Sequence, residues 1–353
     1  MRILHVITSL RIGGAEKLMI DLLPRLKERG TEVDLCVFDG VRTPFYEELE
    51  KNGIKIYALS HSVYSLVNLL KLIGLIQNYD IIHSHNTACQ YYVAIASLFA
   101  ACRVFTTEHN TTNRRRGKWW RMVDKWMYGR YDKIVCISDL VKDNLCRHIG
   151  SEYAKKCVVI HNGIDVKKFM VRGGRPVTSD KTVLMVSAFR KQKDQKTLIK
   201  AMSLLPPSYQ LQLAGTGEEC LIEDCKNLVN ELELAERVVF LGMRMDVDTL
   251  FKTAHVIVLS SHYEGLSLSS LEGMASGRPF IASDVDGLRD IVGGYGVLFP
   301  HEDYKALADE IRKVCEDEEY AEEVAVRCQE RAKMFDISVM VEKYMEVYFE
   351  GTC

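Results

Sequence analysis

The sequence has no apolar run approaching the roughly 18 residues needed to span a bilayer. It has no CxxC pair among its 11 cysteines, no repeat at a solenoid period and no low-complexity tract. These absences exclude a helical integral membrane protein, a disulfide framework and a repeat array. The cysteines are scattered through apolar segments such as DLCVF, KIVCIS and KKCVVI, where buried free thiols are expected. The opening MRILHVITSL lacks the basic start, apolar stretch and small-residue cleavage site of a secretory signal, so a cytoplasmic protein is expected. A formal net charge of -2 gives no general attraction to nucleic acid. No GxGxxG follows the first apolar strand, which argues against a dehydrogenase.

What is present is a soluble-protein composition, 47% hydrophobic and 27% charged over 353 residues, too long for one hydrophobic core. Short β-rich runs alternate with helical patterns, as parallel sheets require. In the first half they are ILHVIT, VDLCVF, IKIYAL, DIIHSH, RVFTTEH and KIVCIS, with a helix expected over 15–29. The polar, glycine-bearing stretch VRGGRPVTSDK marks a linker. A second series follows in TVLMVSA, YQLQLAG, VVFLG, HVIVLS, RPFIAS and GVLF, and from about Asp303 the pattern is helical and amphipathic. The expected domains are 1–169, 170–334 and a closing helix 335–353, whose KYMEVYFE offers an apolar face for docking on the first domain.

In such sheets ligands bind beyond the carboxyl ends of the strands, so the turns there are the places to search. Gly13 and Gly14 follow the first strand and open a helix whose amides can face a phosphate or a sugar hydroxyl. The same glycines would serve a plain strand-to-helix turn. SAFRKQKD places Arg190, Lys191 and Lys193 after a buried strand, where cations can stabilise a departing diphosphate; a solvated basic turn is the other reading, and Lys191 fits it. In SSHYEGLSLSSLEGMASG, Glu264 ends a loop and Glu272 lies eight positions on, along a helix. That spacing is slightly over two turns, so both carboxylates could address one elongated, hydroxyl-rich ligand such as a sugar joined to a ribose. Two surface glutamates fit poorly, because the intervening Gly265–Leu271 is small and apolar.

With GGAE at Gly13, HSHN at His83, TEH at Glu108, CIS at Cys136, HNGID at His161, LAGTGEE at Leu213 and FLGMR at Phe240, these segments resemble the retaining glycosyltransferases of family four, bacterial polysaccharide type. The resemblance implies an α/β GT-B fold: two Rossmann-like domains with parallel sheets facing an interdomain cleft, the first binding acceptor and the second the nucleotide-sugar. It implies that Glu264 holds donor-sugar hydroxyls, Glu272 the ribose, and Lys193 the diphosphate, with amides of Gly14, Gly265, Leu266 and Ser267 on the same phosphates. His109 matches a histidine beside the transferred sugar, and Met243 and Arg244 lie where the family meets the base. Glu16, His85 and Asn86 fall on the acceptor side. The family's arginine five residues before the lysine is Ala188 here, so Arg190 is the candidate replacement.

The activity so implied transfers a hexose or N-acetylhexosamine from a UDP-sugar, or a GDP-sugar, to a glycan or lipid-linked saccharide, with retention of configuration, hinge closure, no metal and no cofactor. Asp246-Val247-Asp248 and Asp284-Val285-Asp286 look like metal-binding triplets but more often cap helices or face solvent. His61, His83 and His85 read as loop and acceptor-cleft residues, or as core, rather than as metal ligands. Arg114, Arg115, Arg116, Lys118, Arg121 and Lys125 interleave with Trp119, Trp120 and Trp126, suiting an anionic membrane surface on the inner face of the plasma membrane; an amphipathic helix with buried tryptophans fits as well. A sugar-nucleotide epimerase of related fold and a catalytically silent binding protein are the rival classes.

Overall fold

The computed structural model describes residues 1–11, 13–60, 62–109, 118–170, 176 and 178–350. Its strands form two sheets. The first contains β1 (Arg2–Ile7), β2 (Glu32–Asp39), β3 (Lys55–Ser60), β4 (Ile81–His85), β5 (Arg103–Glu108), β6 (Lys133–Cys136) and β7 (Cys157–Val159), in the order β3-β2-β1-β4-β5-β6-β7. The second contains β8 (Lys181–Val186), β9 (Tyr209–Ala214), β10 (Val238–Gly242), β11 (Val256–Leu259), β12 (Phe280–Ser283) and β13 (Val297–Phe299), in the order β10-β9-β8-β11-β12-β13. Every pairing between these strands is parallel. Helices on both faces leave strands such as β11 and β12 buried along their whole length, which is why they read in the sequence as unbroken apolar runs.

Contacts divide the chain into two compact units, each built on one sheet: Ile164–Asp336, and Met1–Gly163 with the last helix Ile337–Phe349. The first break falls six residues before the expected one, because the short helix Val166–Phe169 packs with the second unit, its Phe169 ring 6.0 Å from that of Phe251. In the first unit, helices Gly14–Glu28 and Ile337–Phe349 cover one face of the sheet with Leu18, Leu22, Leu26, Met340, Tyr344 and Tyr348. Strand β7 was not expected. It is three residues long, follows a 3-10 turn, and is recognisable only by its pairing with β6.

The described cysteines are all free of disulfides, but their burial is uneven: Cys36, Cys89, Cys136, Cys225, Cys315 and Cys328 are buried, while Cys220 is exposed. Among the described residues no helix is long and apolar enough to cross a membrane.

Candidate functional site

Strand order reverses direction between β8 and β11 in the second unit, and the two loops leaving these strands lie side by side. Backbone hydrogen bonds zip them together: Asp194 N–H donates to the Ser260 carbonyl (3.1 Å), His262 N–H to that of Gln192 (2.8 Å), and Lys193 and Ser261 form an antiparallel bridge. Ser260 Oγ returns a bond to the Asp194 carbonyl (2.6 Å), while Asp194 caps helix Gln195–Met202 through the Thr197 amide. The loop that carries Lys193 is therefore fixed at both ends.

On this frame Lys193 Nζ donates to Glu264 Oε1, an ion pair with only 11% and 5% of its side chains exposed. Ser261 Oγ donates to the same oxygen (2.8 Å) and Gln192 Nε2 to Oε2 (2.9 Å). A carboxylate buried to this degree needs such partners, since an unpaired charge there would cost several kcal/mol. Glu272 is also buried, within helix Leu268–Ala275. That helix opens at Ser267 without a side-chain cap, so Leu266 and Ser267 stand at a terminus carrying free amides. Arg190 and Lys191 are exposed.

Three glycines hold the frame in ways that the sequence did not disclose. A Cβ on Gly215 would sit 2.0 Å from the Ser187 carbonyl oxygen, and one on Gly217 2.0 Å from that of Phe189, so LAGTGEE lies directly against the basic loop. Phe189 N–H donates to the Thr216 carbonyl (3.0 Å) and Glu218 N–H to that of Phe189 (2.9 Å). Gly287 has φ +84 and approaches the carbonyls of Glu264 and Gly265, where a Cβ would come within 2.4 Å. Gly287 directly follows Asp284-Val285-Asp286, one of the two acidic triplets.

Those triplets are engaged with cations. Arg244 Nε donates to Asp246 (2.7 Å), Lys252 to Asp248 (3.2 Å), and Arg289 to Asp284 (2.6 Å) and Asp286 (3.3 Å). Arg244 thus spends its guanidinium on Asp246, while Met243 beside it is exposed.

In the first unit the order reverses between β1 and β4. Gly13 N-caps helix Gly14–Glu28, and a Cβ on it would collide with the Glu16 carboxylate at 2.2 Å. Asn86 follows β4 at φ 68 and donates to Glu16 (3.3 Å) and Thr8 (3.3 Å), so Glu16 and Asn86 do meet. His85 does not line a loop. His83 and His85 are fully buried within β4, on the same face as His5 of β1, because His5 pairs with His83 in the parallel register. His5 was missed: one histidine in ILHVIT reads as part of an apolar strand.

These histidines form a hydrogen-bonded series. His109 Nε2 lies 3.1 Å from His85 Nδ1, His85 Nε2 2.9 Å from His5 Nδ1, and His5 Nε2 3.4 Å from Tyr348 Oη. Tyr348 Oη is 2.6 Å from His83 Nδ1, whose Nε2 is 2.8 Å from Thr107 Oγ1, itself 3.2 Å from Tyr344 Oη. Desolvation disfavours the charged imidazolium in all four, lowering His109 to about 4 and His5 to about 3, and holding His83 and His85 well below the usual histidine range.

Trp119 and Trp120 are exposed on helix Lys118–Arg130, as are Met122 and Trp126, so the tryptophans are not core residues. Arg114, Arg115, Arg116 and His61 lie outside the described residues, as does the Lys118 side chain. Leu66 and Leu70 of helix Leu66–Ile76 are exposed too.

The chain matches two family models in succession, Glycosyltransferase Family 4 over residues 12–168 and Glycosyl transferases group 1 over residues 167–334. It is 26% identical to a UDP-Gal:alpha-D-GlcNAc-diphosphoundecaprenol alpha-1,3-galactosyltransferase of Escherichia coli, covering 99% of this chain and 97% of that one. It is 24% identical to an N-acetyl-alpha-D-glucosaminyl L-malate synthase of Bacillus anthracis, covering 96% and 94%. Among solved structures, Alr3699/HepE of Anabaena in complex with UDP-glucose superposes with a TM-score of 0.89 at 22% identity over 99% of both chains. A sucrose-phosphate synthase of Thermosynechococcus elongatus gives 0.82 at 20%, again over 99% of both. With both halves matched and the architecture shared, this chain belongs to the family-four glycosyltransferases and has the GT-B fold.

Proposed function

We propose that the chain is a retaining glycosyltransferase that moves a hexose or N-acetylhexosamine from a UDP-sugar to a glycan or lipid-linked saccharide in surface polysaccharide synthesis. The observation that carries this reading is the Lys193–Glu264 pair, clamped at the reversal point of the second sheet. There Lys193 faces the donor diphosphate and Glu264 the sugar hydroxyls, with Glu272 on the ribose. Amides at Gly265, Leu266 and Ser267 share the phosphate charge, which grows as the bond to the sugar breaks and is stabilised most in the transition state. The acceptor hydroxyl attacks from the face the diphosphate leaves, and a phosphate oxygen takes its proton. The second unit serves the donor and the first the acceptor, with His109 contacting the transferred sugar and Glu16 and Asn86 the acceptor.

UDP is favoured over GDP by the UDP-galactose donor named for the Escherichia coli relative and by the UDP-glucose bound to Alr3699/HepE. The diphosphoundecaprenol acceptor of that relative supports a lipid-linked acceptor here. So do the exposed Trp119, Trp120 and Trp126, which suit the inner face of the plasma membrane. Metal independence is supported by the ion-paired state of both acidic triplets.

The test is thermal stabilisation by a panel of nucleotide sugars, then release of nucleoside diphosphate with candidate acceptors, with and without EDTA. UDP-sugar stabilisation and acceptor-dependent, EDTA-insensitive UDP release are expected. Conversion of donor without acceptor would replace the reading by an epimerase, and binding without release by a silent protein.

A further inference from the structure

The column of histidines in the first unit contains more polar groups than a sugar contact requires, and all of its interior members are fully buried. We propose that Tyr348 is a positioning residue: through His5 and His85 it holds His109 in the tautomer that carries its proton on Nε2 and leaves Nδ1 as a hydrogen-bond acceptor. The consequence for turnover rests on the proposed contact of His109 with the sugar; the tautomer itself does not.

The direction follows from acid strength. A neutral imidazole has one donor and one acceptor nitrogen, so a column of them is directed, and fixing one bond fixes the rest. The shortest link joins Tyr348 Oη to His83 Nδ1 at 2.6 Å. A phenol is a much stronger acid than a neutral imidazole, and the imidazole nitrogen the stronger base, so the hydroxyl donates. His83 then carries its proton on Nε2 and donates to Thr107 (2.8 Å). Having given its proton to His83, the Tyr348 oxygen can only accept from His5 Nε2–H, across 3.4 Å. His5 Nδ1 accepts from His85 Nε2–H (2.9 Å), and His85 Nδ1 from His109 Nε2–H (3.1 Å). His109 is thereby left with a lone pair on Nδ1, suited to a sugar hydroxyl that donates.

His5, His83 and His85 are also a possible metal set by type, their nitrogens lying within 4.8 Å of one another. Yet each nitrogen of His5 and His83 already has a partner within the column, which accounts for the cluster without an ion.

The experiment labels histidine with 15N in the full chain and reads each ring's protonated nitrogen by long-range 1H–15N correlation at pH 7.5. The expected result is a single Nε2–H tautomer for His109 in the unaltered protein. In Tyr348→Phe it becomes a mixture of both tautomers, and kcat falls about tenfold, the worth of one hydrogen bond to a positioning group, with KM for the donor held. Should Tyr348→Phe fold poorly, His85→Leu, whose side chain neither donates nor accepts, severs the same column and is read the same way. A wild-type His109 protonated on Nδ1, a column unmoved by Tyr348→Phe, or a stoichiometric zinc ion on these histidines would each overturn the proposal. His109→Ala with full turnover would instead remove the sugar-contact reading and leave the tautomer assignment standing.

Discussion

Mild acid should destabilise the first unit through its buried histidines. Burial lowers His109 to about 4 and His5 to about 3, against about 6.5 in the unfolded chain. Below pH 6.5 the unfolded chain therefore binds protons that the folded column refuses, and stability falls as pH falls, through a window reaching down to about pH 4 for His109 and about pH 3 for His5. Between pH 7 and 5 each of these two groups removes about 2 kcal/mol, and His83 and His85 act in the same direction. A combined loss of about 4 kcal/mol or more is a large part of the roughly 5–15 kcal/mol that holds a domain together. The assay is urea unfolding followed by tryptophan fluorescence. All three tryptophans lie on helix Lys118–Arg130, so the signal reports the first unit. His5→Gln should flatten the dependence by about one proton. Stability changing by under about 1 kcal/mol between pH 7 and 5, or an unaltered slope in His5→Gln, would refute the reasoning.

Lys193→Met should cost about 3 kcal/mol by leaving Glu264 buried without its cation, and Lys193→Met/Glu264→Gln should recover most of that stability while remaining inactive; additive losses in calorimetry would speak against the pair. Gly287→Ala should cost about 2 kcal/mol or more and weaken donor binding, because φ +84 and the Glu264 carbonyl both reject a Cβ; a Kd equal to wild type would count against that role. Arg190→Ala should weaken donor affinity about tenfold if Arg190 stands in for the arginine absent at Ala188, and unchanged affinity and turnover dismiss it. Trp119→Ser/Trp120→Ser should lower binding to anionic vesicles at low salt, and equal sedimentation of the two proteins would end the membrane reading.

The sheets were legible because a parallel strand covered on both faces must be apolar along its length, and every run so identified became a strand. What escaped was whatever depends on register or backbone angle. His5 meets His83 only once β1 and β4 are paired, and Tyr348 joins them from a helix 265 positions downstream. Spacing gave no sign that the two strands would be neighbours, nor that the histidines ending DIIHSH would be fully buried beside His5. Gly287 escaped for a related reason: its value lies in a positive φ and in a carbonyl brought close by folding, neither of which composition expresses. Lys193 and Glu264 were accessible because each lies in the loop that leaves an apolar strand, where an α/β sheet places its ligands.

The two units put different polar constructions at the same topological position, and the difference follows from charge. At the β8/β11 reversal the partner proposed is a diphosphate, so a buried cation is needed, and Glu264, Gln192 and Ser261 give the pair the bonds that make its burial tolerable. A diphosphate arriving at Lys193 exchanges one anion for another, which frees the Glu264 carboxylate for sugar hydroxyls without leaving either charge alone. At the β1/β4 reversal the proposed partner is a neutral sugar, and a charge there would only cost desolvation. Neutral imidazoles in series supply direction without net charge, and burial enforces that neutrality by making the imidazolium form expensive. Acid should therefore disable the first unit through protons that its buried imidazoles cannot accommodate.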